Sequence, residues 1–173
     1  MFLEEKPKTV LTPATEVWYN MNEMKKVFIG VDPGKDGCLA VIDGEGKPVF
    51  RVFFDEEGYV DAVKAYGTNA AIAVLEHVGG IPGQSAPAAF NFGDNFGFTR
   101  GLLRSYGVPY ELVRPQKWKK EFSCTSDKNT SIQVAKRLFP GLDLHKTERC
   151  VKDHDGCAEA FLMAEYGRRH FNG

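Results

Sequence analysis

Three short apolar runs follow one another in the first third of the chain, and only turn sequences separate them. VFIGVD begins at Val27, CLAVID begins at Cys38 and PVFRVFF begins at Pro48. The segments between them, PGKDG and DGEG, are rich in glycine and aspartate, which favour tight turns. Short apolar runs joined in this way predict three antiparallel strands in a row, so the chain should begin its fold with a sheet.

Helices and strands alternate in the remainder of the sequence. Residues 59–66 have helical spacing, and NAAIAVLEHV predicts a buried strand because it is continuously apolar before Glu76. The Gly-rich, aromatic segment 79–107 should end in a helix such as TRGLLRSYG, and PYELVRP should form another strand. Ser126-Asp127 predicts the N-cap of a helix through NTSIQVAKRLF, and a last helix should run from about Asp153. This order predicts a mixed α/β sheet flanked by helices.

The chain is long enough for one domain, which we place at residues 27–170. It has 173 residues, of which 43% are hydrophobic, and no apolar run is long enough to cross a bilayer. Residues 1–26 lack a regular period and predict a loosely ordered N-terminal arm. The arm contains four glutamates and no arginine, unlike a transit peptide. We therefore expect a cytoplasmic protein of a bacterial or phage-infected cell, with an organelle as the alternative.

Two acidic residues stand at the ends of predicted strands. Asp32 follows VFIGV and precedes Pro33-Gly34, which fixes its carboxylate beside a tight turn. Glu76 ends the run AAIAVLE. A strand buried on both faces should not finish with a charged group unless that end reaches a site. Asp32 alone can be read as an ordinary turn residue, whereas Glu76 favours a functional role.

A third acidic group lies in the sequence KDHDGCAEA. Asp155 and Glu159 are four residues apart, so they face the same way on a helix, where like charges destabilise it unless a cation is bound. Asp153 is then available as the N-cap. The alternative interpretation is a negatively charged first turn that stabilises the helix dipole, which explains Asp153 and Asp155 better than Glu159.

Carboxylates from separate strand ends and one helix can supply an oxygen-rich site for Mg²⁺, for which Mn²⁺ can substitute. Phosphodiester hydrolysis by two metal ions uses such ligands to activate water and to stabilise the leaving oxygen. The sequence therefore raises the hypothesis of a metal-dependent nuclease.

A basic segment lies between the second and third acidic groups. Residues 100–152 carry 12 Lys and Arg against 5 Asp and Glu, although the net charge of the whole chain is −1. This excess indicates either a DNA-binding surface or a solvated charged face. Lys128 is either an ordinary solvated surface lysine or a residue that contacts the scissile phosphate directly. The candidate DNA-binding residues are Arg114, Lys117, Lys119 and Lys120.

The cysteines and histidines offer a different kind of metal site. His145, Cys150, His154 and Cys157 fall within thirteen residues, and all are possible zinc ligands. Their spacing matches no closed zinc module, and no CxxC pair is present among the four cysteines. We therefore interpret the cysteines as reduced, structural thiols.

These motifs together resemble those of the RuvC-like Holliday junction resolvases. IGVDPGKDG is similar to the opening strand and turn of that family, and LEHVGGIPGQSAPAAFNFGDNFGFTRGLL to its second acidic segment. KDHDGCAEAFLMAEYGRR is similar to the closing acidic helix. VRPQKWKK and SDKNTSIQVAKRLFP resemble the branch that contains the chloroplast junction resolvase and its phage and bacterial relatives.

The resemblance covers residues 27–170 and implies an RNase H-like fold. It also implies a homodimer that makes paired, symmetric nicks in four-way DNA junctions, leaving 5′-phosphate and 3′-hydroxyl ends. Asp32, Glu76, Asp155 and Glu159 would be metal-binding and catalytic, and Lys128 would act in the same site. Four aromatic residues of the second segment, Phe90, Phe92, Phe96 and Phe98, are candidates for stacking at an opened branch point, with one or two at most touching DNA.

The final motif departs from the family pattern in one respect. Bacterial resolvases space their last two acids three residues apart, whereas Asp155 and Glu159 are four apart. The chloroplast-like branch has histidine at the position of Asp155. A shift of one residue would make His154 or Asp153 the third ligand in place of Asp155.

Three other functions are compatible with parts of the sequence. A general branched-DNA endonuclease that cuts forks and flaps, such as a phage would use to trim its genome before packaging, would use the same residues. A junction-binding protein without catalysis would not need all four acidic residues. An actin-like ATPase is suggested by the first turn alone, and it requires a second phosphate loop and a larger second domain.

Overall fold

The computed structural model describes residues 26–34, 36–77, 79 and 83–171. The predicted N-terminal arm therefore lies outside the described residues, apart from Lys26. The strands are β1 (Val27–Asp32), β2 (Cys38–Asp43), β3 (Pro48–Phe53), β4 (Ala70–Glu76) and β5 (Tyr110–Val113). The helices are α1 (Glu56–Tyr66), α2 (Ala86–Ser105), α3 (Pro115–Glu121), α4 (Lys128–Leu138) and α5 (Asp155–Phe171).

The five strands form one mixed sheet in the order β3-β2-β1-β4-β5. The first three strands pair antiparallel, as their short turns require. β4 pairs parallel with β1, and β5 pairs parallel with β4. The predicted mixed α/β sheet is thus confirmed, and β1 lies at its centre.

The two faces of the sheet carry separate hydrophobic clusters. On β1, Phe28 belongs to the cluster that α5 shares, whereas Ile29 and Val31 belong to the cluster formed with α1 and the end of α2. This alternation follows from the period of two along a strand. Asp32 is two and four residues from Gly30 and Phe28, so its side chain stands on the face covered by α5.

Gly30 allows α5 to lie directly on the central strand. A Cβ atom at Gly30 would be 2.0 Å from the carbonyl oxygen of Ala160 and 2.4 Å from the amide nitrogen of Ala164. Backbone therefore packs against backbone, with only small residues at the crossing. This contact fixes the height of α5 above the sheet and hence the position of its first turn.

Two of the predicted helices differ from the structure at their beginnings. α2 starts at Ala86, so it includes most of the segment that we expected to be Gly-rich loop, and Ser85 is its N-cap. α5 starts at Asp155, so the prediction that Asp153 is its N-cap is wrong. Asp153 instead pairs with His145 in an isolated β-bridge.

Within the described part of the chain, none of the helices is both long and apolar enough to span a bilayer.

Candidate active site

Asp32 and Glu76 stand at the ends of neighbouring parallel strands. Val31 of β1 pairs with Leu75 of β4, so the next residues of the two strands are the two acids. Ile72 and Val74 face the same cluster as Phe28, and alternation puts Glu76 on that face as well. Both carboxylates therefore lie at one edge of the sheet, on the side that α5 covers.

The first turn of α5 brings in the other acidic residues. A Cβ atom at Gly156 would be 2.6 Å from Oδ2 of Asp32, so the helix backbone lies against that carboxylate. Burial raises the pKa of Asp32 well above its usual value, and the charges of Glu76, Glu159 and Asp155 raise it further. The pairing of β1 with β4 and the contact of Gly156 with Asp32 place these acids at the same edge of the sheet, in agreement with the effect of their charges.

Glu76 is almost fully enclosed, with 7% of its surface exposed. Burial raises its pKa, whereas a hydrogen bond from Trp118 opposes that rise. The indole Nε1–H of Trp118 donates to Oε1 of Glu76 at 3.0 Å. The carboxylate is thus held in one orientation by a residue of α3.

Two lysines contact the acids of α5. Nζ of Lys119 lies 2.8 Å from Oε1 of Glu159, and the hydroxyl of Ser131 donates to the same oxygen at 3.1 Å. Nζ of Lys128 lies 2.5 Å from Oδ2 of Asp155. Burial raises the pKa of Asp155, but the hydrogen bond and charge of Lys128 outweigh it, so the pKa is below its usual value.

The structure brings together the five residues predicted to be catalytic, Asp32, Glu76, Lys128, Asp155 and Glu159. Their catalytic and metal-binding roles stay predictions.

The two alternatives to Asp155 as a ligand have other contacts. Asp153 pairs with Lys136 at 2.5 Å, and the ring of His154 packs against Phe53 with centroids 5.0 Å apart. Asp155 instead contacts Lys128, and its charge adds to the effect of burial on the pKa of Asp32. The geometry therefore favours Asp155 over its neighbours in sequence.

The four residues predicted to bind DNA separate into two groups. Arg114, Lys117 and Lys120 are exposed. Lys119 is only partly exposed and its ammonium group is paired with Glu159, so it belongs to the carboxylate cluster. DNA binding by any of these residues stays a prediction.

Trp118 and Ser131 complete the site, and neither was a candidate in the sequence. Trp118 is fully buried although it stands inside the basic stretch QKWKK. An aromatic residue among lysines is a sign that the stretch is not a simple solvated face. Ser131 carries no comparable signal, because its contact with Glu159 spans 28 residues of sequence.

The donor set suits a hard divalent cation, although the site is not preformed. Among the described residues, no three acidic, histidine or cysteine side chains are placed to hold a metal ion as they stand. Four carboxylates nevertheless offer the oxygen ligands that Mg²⁺ prefers. A cation would also relieve the repulsion that, together with burial, raises the pKa of Asp32. Binding would require Lys119 and Lys128 to give up part of their contacts.

Comparison with known proteins places the fold. No protein-family model matches the sequence, and none of the curated proteins matches it. Thermus thermophilus RuvC in complex with a Holliday junction substrate superposes with a TM-score of 0.61 at 13% identity, over 83% of this chain and 95% of that one. The fold is RNase H-like.

A second structure of T. thermophilus RuvC gives a TM-score of 0.59 at 15% identity, with the same coverage of both chains. The predicted RNase H-like fold is thus confirmed. The superpositions establish that the folds are similar. Sequence identities this low say nothing about activity, which has to be argued from the site.

Proposed function

We propose that the protein is a Holliday junction resolvase, a homodimeric endonuclease that makes paired symmetric nicks in four-way DNA junctions. One observation carries the proposal: four carboxylates converge at one edge of a RuvC-like sheet, with Lys128 beside them. A structural protein would gain nothing from repulsion between buried acids, which costs stability. A metal-dependent hydrolase needs that arrangement.

The four acidic residues would hold Mg²⁺, with Mn²⁺ as a substitute. Two such ions supply an activated water and stabilise the leaving oxygen during phosphodiester hydrolysis. Lys128 has an exposed side chain at the first position of α4, so its ammonium group can turn from Asp155 to a phosphate at the same edge. Its contact with Asp155 keeps it near the carboxylates in the absence of DNA.

DNA binding would use the exposed basic residues on α3 and just before it. Lys117 and Lys120 lie on this helix and Arg114 precedes it, and the helix also carries Trp118 and Lys119, which touch the carboxylate cluster. Phosphate contacts by the exposed side chains would orient the duplex with respect to the site. Their replacement should weaken binding uniformly across DNA sequences and reduce its salt dependence.

A homodimer matches the near two-fold symmetry of a four-way junction, because each subunit then supplies one carboxylate cluster. α2 offers a surface for the second copy. Phe90 on this helix is 73% exposed, and its neighbours in sequence are exposed as well. Sedimentation equilibrium of the purified protein, with and without Phe90→Asp, tests this part of the proposal.

The decisive experiment is cleavage of a synthetic four-way junction with and without Mg²⁺, beside forks and flaps of the same sequence. We expect metal-dependent, paired nicks in junctions. Equal cleavage of forks and flaps would indicate a general branched-DNA endonuclease, and tight binding without cleavage would indicate a junction-binding protein. Asp32→Asn should abolish cleavage, whereas Asp61→Asn, an exposed acid on α1, should leave it unchanged.

A further inference from the structure

Trp118 does more than fill space in the core, because its side chain also donates a hydrogen bond to an acidic residue of the site. Its side chain is fully buried, and its indole N–H donates to Oε1 of Glu76 at 3.0 Å. An indole has one donor and no acceptor, so this bond runs in a single direction. The partner oxygen must therefore accept, as Oε1 of Glu76 does.

Trp118 and Lys119 are adjacent in sequence and hold one oxygen each of two different glutamates. Trp118 binds Oε1 of Glu76, and Lys119 binds Oε1 of Glu159 with help from Ser131. Within the described part of the chain, the Oε2 atoms of both glutamates have no protein hydrogen-bond donor. Through two adjacent residues, α3 thus contacts one oxygen of each glutamate, with a neutral N–H group at Glu76 and an ammonium group at Glu159.

α3 owes its position to the residues that it buries. A helix of seven residues is not stable alone in water, so tertiary contacts must hold it. Trp118 is the largest fully buried side chain among the described residues, and it lies in the cluster between α5 and the sheet. The donor that orients Glu76 is therefore itself held rigidly, as an effective positioning group must be.

We propose that Trp118 is a positioning residue that holds Glu76 in the orientation needed to bind a divalent cation. The inference rests on the proposed metal-dependent function. Removal of a group that orients a metal ligand weakens metal affinity by about 10- to 100-fold. We expect a loss of that size when the indole N–H is removed and the ring is kept.

The test separates the effect of the ring of Trp118 on packing from the effect of its hydrogen bond to Glu76. Trp18→Phe supplies a background in which Trp118 is the only tryptophan of the chain. In that background, Trp118 is replaced biosynthetically by benzothienylalanine, which keeps the size of the ring and has no N–H group. Trp118→Phe is the simpler companion variant. Tyr66→Phe is the matched control, because it removes one polar group from a buried aromatic residue on the opposite face of the sheet.

The first measurement is Mn²⁺ binding to the full chain without DNA, by calorimetry. We expect affinity to fall about 10- to 100-fold in both Trp118 variants and to stay unchanged in Tyr66→Phe. The second is the Mg²⁺ dependence of junction cleavage, where the half-maximal concentration should rise by a similar factor and saturating Mg²⁺ should restore part of the rate. A thermal melt confirms that the benzothienylalanine protein is folded.

Unchanged Mn²⁺ affinity in the folded benzothienylalanine protein would overturn the inference, as would absence of Mn²⁺ binding by the wild type. The same loss of affinity in Tyr66→Phe would also overturn it, because the effect would then be a general loss of packing. If the Trp118 variants lose Mn²⁺ affinity and no form of the protein cuts junctions, the positioning role stands and the proposed resolvase function fails.

Discussion

α5 and α2 are the two longest helices among the described residues, and they differ in how much of their surface is buried. Every residue of α5 from Gly156 to Gly167 is buried, including Glu159 and Glu165. α2 is longer and contains four phenylalanines, yet its buried residues are Thr99, Leu102 and Leu103. The acidic helix is the centre of the fold, and most of the aromatic helix projects from it. Apolar content alone does not decide which helix enters a core.

Glycine shows the same contrast. Gly30 lies under α5, where a side chain would collide with helix backbone, whereas a Cβ atom at Gly93, Gly97 or Gly101 of α2 would have no neighbour within 4 Å. In the first case glycine permits a close approach inside the molecule. In the second it leaves a helix surface without close neighbours among the described residues. The close approach of α5 is therefore a requirement of the fold, whereas the glycines of α2 would gain a packing partner only in the proposed homodimer.

The largest effect should come from Gly30→Ala. The new methyl group would stand 2.0 Å from a backbone oxygen of α5, and neither β1 nor α5 can move without disrupting the sheet. We expect destabilisation of more than about 3 kcal/mol, measured by urea unfolding. A variant that is as stable as the wild type would show that α5 does not pack on β1 as described.

The next largest effect should come from replacing a phenylalanine of α5, and replacing a phenylalanine of α2 should have little effect on stability. Phe161 of α5 is buried against Phe139, so Phe161→Ala should cost about 3–5 kcal/mol. Phe90 of α2 is exposed, so Phe90→Ala should change monomer stability by less than about 0.5 kcal/mol. Chemical denaturation at low protein concentration measures both. Similar losses would remove the distinction between the helices.

Asp32→Asn should have a smaller effect on stability. We expect this substitution to increase stability and to decrease activity. Burial and the neighbouring carboxylates raise the pKa of Asp32, so at intermediate pH the folded protein binds a proton that the unfolded chain has released. The stability of the metal-free wild type should therefore contain a component that is full below the unfolded pKa and is lost as pH rises through the folded pKa.

Asparagine carries no charge at any pH, so Asp32→Asn should not show this loss of stability as the pH rises. We expect Asp32→Asn to be more stable than the metal-free wild type at neutral pH, with a difference that disappears at low pH, while junction cleavage falls at least about 100-fold. Thermal melts at a series of pH values in the presence of a chelator measure the difference. A variant that is less stable at neutral pH would contradict the proposed repulsion.

The smallest effect should come from Gly97→Ala. Alanine is a better helix former than glycine, and no described residue lies within 4 Å of the new methyl group, so we expect a gain of up to about 1 kcal/mol. If a second copy packs closely on this face, the same substitution should weaken the dimer. Stability at low concentration and sedimentation at high concentration distinguish the two outcomes.

The sequence predicted α5 and the central strands because their patterns are local. VFIGVD and CLAVID are bounded by turn residues, and the acids of α5 recur at helical spacing. The start of α2 was not predicted, since its glycines disfavour a helix and its phenylalanines show no buried stripe. Elements in the interior of the fold are therefore easier to predict from the sequence than a helix that is mostly exposed.

The candidate site divides in the same way. Asp32 and Glu76 were identified from their positions at strand ends, and the motif supplied Asp155 and Glu159. The roles of Trp118, Lys119 and Ser131 were not identified, because each depends on a contact with a residue at least 28 positions away. Sequence patterns indicate which residues are chemically unusual. The partners that orient them are set by packing.

Cleavage of a mobile four-way junction, with products mapped to the nucleotide, tests the central claim most directly. The carboxylate cluster of Asp32, Glu76, Asp155 and Glu159 predicts paired nicks on opposing strands that require Mg²⁺ or Mn²⁺ and disappear in Asp32→Asn. Absence of metal-dependent cleavage by the folded wild-type protein, or full cleavage by Asp32→Asn, would contradict it.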